Sequence, residues 1–291
     1  MSMNVSTECL QCHLSRSLDT ARKLGSEEKA LAFAKELMRL MVDAPEDMTS
    51  PGLVPGTTAL LQKYYGLDPD RFREEKEFSN RFILERLDGI QTRIRQQADP
   101  LLAALQYAVM GNYIDFSALY GKVSFDQLDG LLDQALDMQL DMDCYRRLRE
   151  ELEKGRKLLY ITDNAGEICF DRLLGEEIAR HYPHLAITYC VRGFPVNNDA
   201  TREDAELVGI PFPLIDNGDN VAGMEMKRVS AQARQAMEEA DVILSKGMGN
   251  TETLYGSGYP VFYAFLIKCE RFVRVFQKPM LTPMLVREPG T

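Results

Sequence analysis

The chain has no uninterrupted apolar tract of the ~18 residues that would mark a membrane-spanning helix, so no membrane partner is expected. Its opening residues, MSMNVSTECLQCHLSRSLD, turn polar and charged at once. They lack the apolar core of roughly 7 to 15 residues that a secretory signal needs, and the cytoplasm is the expected location. An excess of positive charge is missing too. Thirty-four Lys and Arg face 44 Asp and Glu, a net charge of −10, which opposes non-specific attraction to nucleic acid or anionic lipid. No nucleic-acid partner is expected. A small phosphorylated ligand stays compatible, because a few cations, backbone amides or a metal can reverse the field inside one pocket. Cysteine is sparse: Cys9, Cys12, Cys144, Cys169, Cys190 and Cys269 are spread over 291 residues, which points to reduced thiols rather than a disulfide framework.

What is present reads as a globular chain, 45% hydrophobic and 27% charged, long enough for one large domain or two modest ones. From Thr7 to about Glu153 the apolar period is helical, as in Ala30, Leu31, Phe33, Ala34, Leu37, Met38, Leu40 and Met41, so residues 1–153 are expected to be an all-helical part. The run from Asp126 to Leu140 reads as one more helix, and its acidic stripe Asp129, Asp133 and Asp137 as a solvated face without chemistry. After Gly155 short apolar runs alternate with amphipathic stretches. Lys157 to Thr162, Leu185 to Val191, Phe212 to Ile215, Asp241 to Ser245 and Val261 to Ile267 fit buried strands. The segments Ile168 to His181, Ala200 to Val208 and Met226 to Glu239 fit helices between them. Residues 154–291 are therefore expected to build βαβ units with a mainly parallel sheet, whose ligands sit beyond the carboxyl ends of the strands.

Several strand ends carry chemistry. The first runs into Asp163-Asn164-Ala165-Gly166-Glu167: hard oxygen ligands, a turn glycine and a helix start that attracts anions, or simply a cap. The second runs into Arg192-Gly193-Phe194-Pro195-Val196-Asn197-Asn198-Asp199. Asp199 is either another cap or a second carboxylate aimed at the crevice of Asp163, since sequential strands of βαβ units are often neighbours. The fourth ends in Lys246-Gly247-Met248-Gly249-Asn250-Thr251-Glu252, glycines that would admit phosphate oxygens but without the spacing of a P-loop or a dinucleotide fingerprint. Lys268 follows the last apolar run and could hold a phosphate as a compact charge. Upstream, Asn112 and Asp115 interrupt the helical pattern where they could cap the crevice. Asp216 to Asn220 reads as a turn first.

Taken together, DNAGE at 163–167, RGFPVNNDAT at 192–201, KGMGNTE at 246–252, LIKC at 266–269 and GNYIDF at 111–116 resemble the damage-control phosphatases, a family first catalogued as domain of unknown function eighty-nine. The resemblance covers essentially the whole chain. It implies a three-layer α/β/α Rossmann-like sandwich with a helical N-terminal part, and hydrolysis of phosphate monoesters of small phosphorylated or damaged metabolites. It implies one divalent ion, manganese, cobalt, nickel or magnesium, on Asp163, Asn164 and Asp199. On that reading Asp163, Asp199 and Glu167 are catalytic, while Arg192, Asn198, Lys246, Gly247, Gly249, Asn250, Lys268, Asn112 and Asp115 bind substrate. Water attack and an aspartyl-phosphate on Asp163 both stay open. The turn departs from the family at Asn197, where a hydrophobic residue is commoner. The pair Cys9 and Cys12 suggests the prokaryotic-type branch.

Other readings compete. Cys9-Leu10-Gln11-Cys12-His13 matches a c-type haem attachment pattern, which an unexported chain does not use. The pair could be a redox dithiol, or part of a second zinc or iron–sulfur site with His13 and a further ligand. A carboxyl methyltransferase using S-adenosylmethionine suits the topology, but the first strand lacks a glycine-rich cofactor turn. A non-catalytic protein that only holds a phosphorylated metabolite is the third class.

Overall fold

Alternation along the strands sets the layers. The computed structural model describes residues 3–113, 130 and 132–290. In β1 (Lys157–Ile161), Leu158 and Tyr160 face one core while Leu159 and Ile161 face another. A strand buried on both faces reads as a continuous apolar run, as KLLYI does. With β2 (Ala186–Val191), β3 (Leu214–Asp216), β4 (Val242–Lys246), β5 (Val261–Leu266) and β6 (Pro283–Arg287), it forms a six-stranded sheet of order β3-β2-β1-β4-β5-β6. All neighbours are parallel except β5 and β6. This is the three-layer α/β/α sandwich with a mainly parallel sheet that the sequence led us to expect. β6 was not anticipated: its PMLVR is short and begins with a proline, which fits an antiparallel edge.

Before the sheet run α1 (Thr7–Leu24), α2 (Glu27–Val42), α3 (Val54–Tyr65), α4 (Arg73–Leu84), α5 (Leu87–Arg95), α6 (Pro100–Tyr113) and α7 (Met142–Lys154). Ser6 and Ser26 accept hydrogen bonds from the backbone N–H of Cys9 and Lys29, capping α1 and α2. The first three helices close on a small core of Ala21, Ala30, Phe33, Leu37 and Leu61. Helices α4 to α7 instead join the large core on one face of the sheet, through Phe82, Ile94, Tyr107 and Leu152. Helix α6 is buried nearly all round, from Leu101 to Met110, as a helix sandwiched between other helices and a sheet must be.

Of the predicted helix from Asp126 to Leu140, residues 126–129 and 131 lie outside the described residues, and so does Asp115. Its end differs from expectation: Ala135–Asp137 is a single 3-10 turn, and Asp141 starts afresh by accepting from the N–H of Asp143 and Cys144 as the N-cap of α7.

Between strands lie α8 (Glu167–His181), α9 (Arg202–Val208), α10 (Ala231–Glu239), α11 (Met248–Leu254) and α12 (Glu270–Phe276). Helices α8 and α9 cover the face shared with α4 to α7, while α10, α11 and α12 cover the other with Met237, Leu254 and Phe272. β1 sends its chain to β2 on one side and pairs with β4 on the other. That reversal is the switch point where an open α/β sheet leaves a crevice.

Candidate active site

Backbone pairing beyond the strand ends brings the two acidic turns together. The Ala200 N–H donates to the Asp163 carbonyl at 2.7 Å, and the Ala165 N–H to the Asn198 carbonyl at 2.9 Å. Asn164 and Asp199 thus face each other as an isolated antiparallel bridge. Gly166 makes the turn possible, at φ +77°, where only glycine sits without strain. Its N–H donates to Asn80 Oδ1 at 2.6 Å, tying the turn to α4. Asn197 has φ +45°, in the left-handed region that asparagine tolerates better than a hydrophobic residue.

Arg192 anchors both carboxylates. Its guanidinium is buried, with Nε donating to Asp199 Oδ2 at 2.7 Å and Nη2 lying 3.7 Å from Asp163 Oδ1. Nη1 donates to Asn250 Oδ1 at 2.9 Å, while Nη2 has no hydrogen-bond partner. Asp163 Oδ2 accepts from Asn164 Nδ2 at 2.7 Å and from Asn112 Nδ2 at 3.0 Å. Both amides also donate to Glu167 Oε2, each at 3.1 Å. One layer deeper, Lys246 Nζ donates to Glu167 Oε1 at 2.6 Å, Asp171 Oδ1 at 2.7 Å and the Ala108 carbonyl at 2.7 Å.

The charge of this cluster does not balance. Asp163, Glu167, Asp171 and Asp199 are buried, and so are Arg192 and Lys246. Fully ionised, the four carboxylates would exceed the two cations by two charges. Burial, then repulsion from Glu167 and Asp199, raises the Asp163 pKa well above its ordinary value. Burial also raises Asp199 against the pull of Arg192, and pushes Asp171 up to about 6 against that of Lys246. Buried like charges resist joint ionisation unless a cation joins them. The fit to a divalent ion is good: hard oxygen ligands and carboxylates that outnumber their cations by two, while the unpaired Arg192 Nη2 is a donor that suits an anion instead. The third ligand would be the Asn164 amide oxygen, since among the described residues no three His, Cys, Asp or Glu side chains converge as metal ligands.

A cavity of about 500 Å³ opens above this cluster, reaching Asp163, Asn112, Asn197, Gly249 and Lys268. Asn198, Asp199, Arg192, Glu167, Asn164 and Asn250 stand behind that lining rather than in it. Gly247 has φ +79°, and a Cβ there would lie 1.9 Å from Asp163 Oδ2. Two residues expected at a phosphate face elsewhere. The Gly247 N–H donates to the Ala264 carbonyl at 3.0 Å, and Lys246 spends its three donors in the interior because the strand alternation turns it toward α6 and α8. Lys268 is exposed and close enough to lower the Asp163 pKa. Asp115 lies outside the described residues.

Sequence reasoning missed Asp171 and Asn80. Asp171 was legible, one turn after Glu167 on an otherwise apolar face. Asn80 lies in a polar stretch of α4 with nothing to distinguish it. Cys9 and Cys12 stand on α1 at one end of the cavity, Cys9 buried with Arg271 Nη1 3.2 Å from its sulfur, Cys12 exposed.

Residues 5–281 match the model of the damage-control phosphatase ARMT1-like domain. The chain belongs to this family. A damage-control phosphatase of Archaeoglobus fulgidus is 32% identical over 279 residues, 94% of this chain and 95% of that protein. One of Pyrococcus horikoshii is 30% identical over 285 residues, 95% and 96% of the two chains. The crystal structure of a duf89 family protein from Pyrococcus horikoshii superposes with a TM-score of 0.83 at 27% identity, covering 98% of this chain and 99% of that one. Family membership thus agrees with a fold built from the strand ends upward. Among the described residues no helix is long and apolar enough to cross a membrane.

Proposed function

We propose that this protein is a metal-dependent phosphatase that hydrolyses phosphate monoesters of small phosphorylated or damaged metabolites. The observation that carries this reading is the excess of carboxylates over cations in the buried cluster at the floor of a metabolite-sized cavity. Its relatives named damage-control phosphatases support the reaction class. Asp163, Asn164 and Asp199 hold the divalent ion, with manganese, cobalt, nickel and magnesium as the candidates. When bound, such an ion polarises the phosphoryl group and makes a coordinated water more acidic.

The chain's own residues supply the rest. Arg192 fixes the Asp199 carboxylate and stands beside that of Asp163, so both ligands are oriented before the ion arrives. Asn112 bridges Asp163 and Glu167, and its Oδ1 accepts from the Leu266 N–H at 3.3 Å, which locks the amide orientation. Glu167 stands next to the ligands and orients the Asn112 and Asn164 amides that hold Asp163, from where a proton of the attacking water could reach it only by way of the ligands it touches. Lys246 is a positioning residue, its Nζ donating to Glu167 Oε1 at 2.6 Å and fixing where that carboxyl points. Lys268 and the Gly249 N–H, at the cavity wall, offset charge on the phosphoryl oxygens. Asn198 and Asn250 shape the two turns from behind.

The test is hydrolysis of p-nitrophenyl phosphate with each of the four metals, by the natural chain and by Asp163→Ala. The variant should keep its far-ultraviolet circular dichroism and lose more than about 100-fold in rate, beyond what loss of an outer hydrogen-bond partner costs. An undiminished rate in Asp163→Ala would refute the assignment.

A further inference from the structure

Away from its floor, the cavity changes sign. Its wall carries Arg16 from α1 and Arg71 from the segment between α3 and α4. Neither guanidinium forms an ion pair or donates a hydrogen bond among the described residues. The carboxylates nearby in sequence are already engaged: Glu8 with Arg274 at 2.7 Å, Asp19 with Arg22 at 3.6 Å and Asp70 with Arg73 at 2.6 Å. Glu75 acts on Arg71 only as a more distant charge. Arg71 is held in place by stacking, its guanidinium carbon 4.6 Å from the centre of the Phe72 ring, so it is preorganised without a carboxylate partner.

Two uncommitted arginines at one cavity are unusual in a chain with ten more acids than bases. They are also too many for the reacting phosphate, which already has the floor, Lys268 and an N–H. The lining is also hydroxyl-rich, with Thr20, Ser50 and Thr58. Such a lining suits a polyol-like spacer.

We propose that Arg16 and Arg71 form a second anion subsite, and that the preferred substrates are phosphate esters bearing another carboxylate or phosphate at the end remote from the scissile bond. The proposal rests on the phosphatase reading for the role of the floor, and it adds the class of substrate. A guanidinium pairs with either anion through parallel N–H donors.

Three probes separate the possibilities: sorbitol 6-phosphate, 6-phosphogluconate, which replaces its terminal hydroxymethyl by a carboxylate, and sorbitol 1,6-bisphosphate. The metal-loaded protein should favour one or both of the latter by about tenfold or more in kcat/KM and in calorimetric Kd, the return expected from one charge-assisted contact. Which of the two it favours names the second group. In the Arg16→Gln, Arg71→Gln double variant the preference should fall below about threefold. The Arg16→Lys, Arg71→Lys double variant should retain most of it, which separates charge from mere packing. Equal affinity for all three probes in the natural chain, or a preference that survives the glutamines, overturns the subsite. Arginine-dependent binding preference without any turnover would leave the subsite standing and remove the phosphatase reading instead. Turnover without preference would do the reverse.

Discussion

At Gly247 the backbone and the Asp163 carboxylate compete for the same space. Any side chain there must move the carboxylate, because its Cβ would fall 1.9 Å from Oδ2, and φ +79° adds strain for an L-residue. Gly247→Ala is therefore expected to cost about 1–3 kcal/mol of stability and to weaken metal binding at least tenfold. Thermal unfolding and metal titration of the variant check both. Wild-type metal affinity in Gly247→Ala would mean that the Asp163 position does not matter.

Glu252 shows a second residue-level effect, independent of the metal. Burial pushes its pKa up from 4.5 to about 7, only partly offset by Arg271. A carboxyl whose folded pKa is raised contributes stability that is complete below its unfolded pKa and is lost as pH climbs through the folded one. The window here is about pH 4.5 to 7. Glu252→Gln should match the natural chain near pH 5 and exceed it by about 1–3 kcal/mol at pH 8. Denaturant unfolding at several pH values measures this, and a stability difference that does not change with pH would contradict it.

At the scale of elements, α6 and α8 approach as closely as their smallest residues allow. A Cβ on Gly111 would meet the Phe170 ring at 2.8 Å and Glu167 Cγ at 3.1 Å. Gly111→Ala should therefore cost about 1–3 kcal/mol by overpacking, and reduce turnover by displacing Glu167 from Asn112. If the variant unfolds like the natural chain at full activity, the helix contact is looser than described. Buried strands were legible as short apolar runs between turn signals, because burial on both faces leaves a continuous signature. Helix α11 was not: MGNTETL carries two turn-formers, and its helical state follows from where β4 ends. β6 escaped for a related reason, since an edge strand that begins with a proline and buries little but its central Leu285 lacks the continuous apolar run that marks the inner strands.

Over the whole molecule, what the sequence disclosed best was the pairing of distant turns. Asp163 and Asp199 were placeable because adjacent parallel strands deliver their following loops to one crevice. The inner half of the site was less legible. Lys246 looks like a phosphate ligand in the chain and faces the interior in the fold, since strand alternation decides its side and a few apolar residues do not reveal it. The N-terminal helices were read as one half of the chain, yet α4 to α7 share their core with the sheet while α1 to α3 keep a small core of their own, and α1 and α3 wall the cavity.

Ionised together, the carboxylates of the two stitched turns and of α8 exceed their buried cations by two charges, which one divalent ion neutralises. Calorimetric titration of manganese into the metal-free natural chain and into Asp163→Ala, with thermal unfolding alongside, tests it most directly. One ion per natural chain is expected, with proton release as the buried carboxylates ionise and stabilisation of about 2.7 kcal/mol at a hundredfold excess over Kd. Neither binding nor stabilisation is expected in a folded Asp163→Ala. Equal stoichiometry and affinity in the two proteins would contradict this.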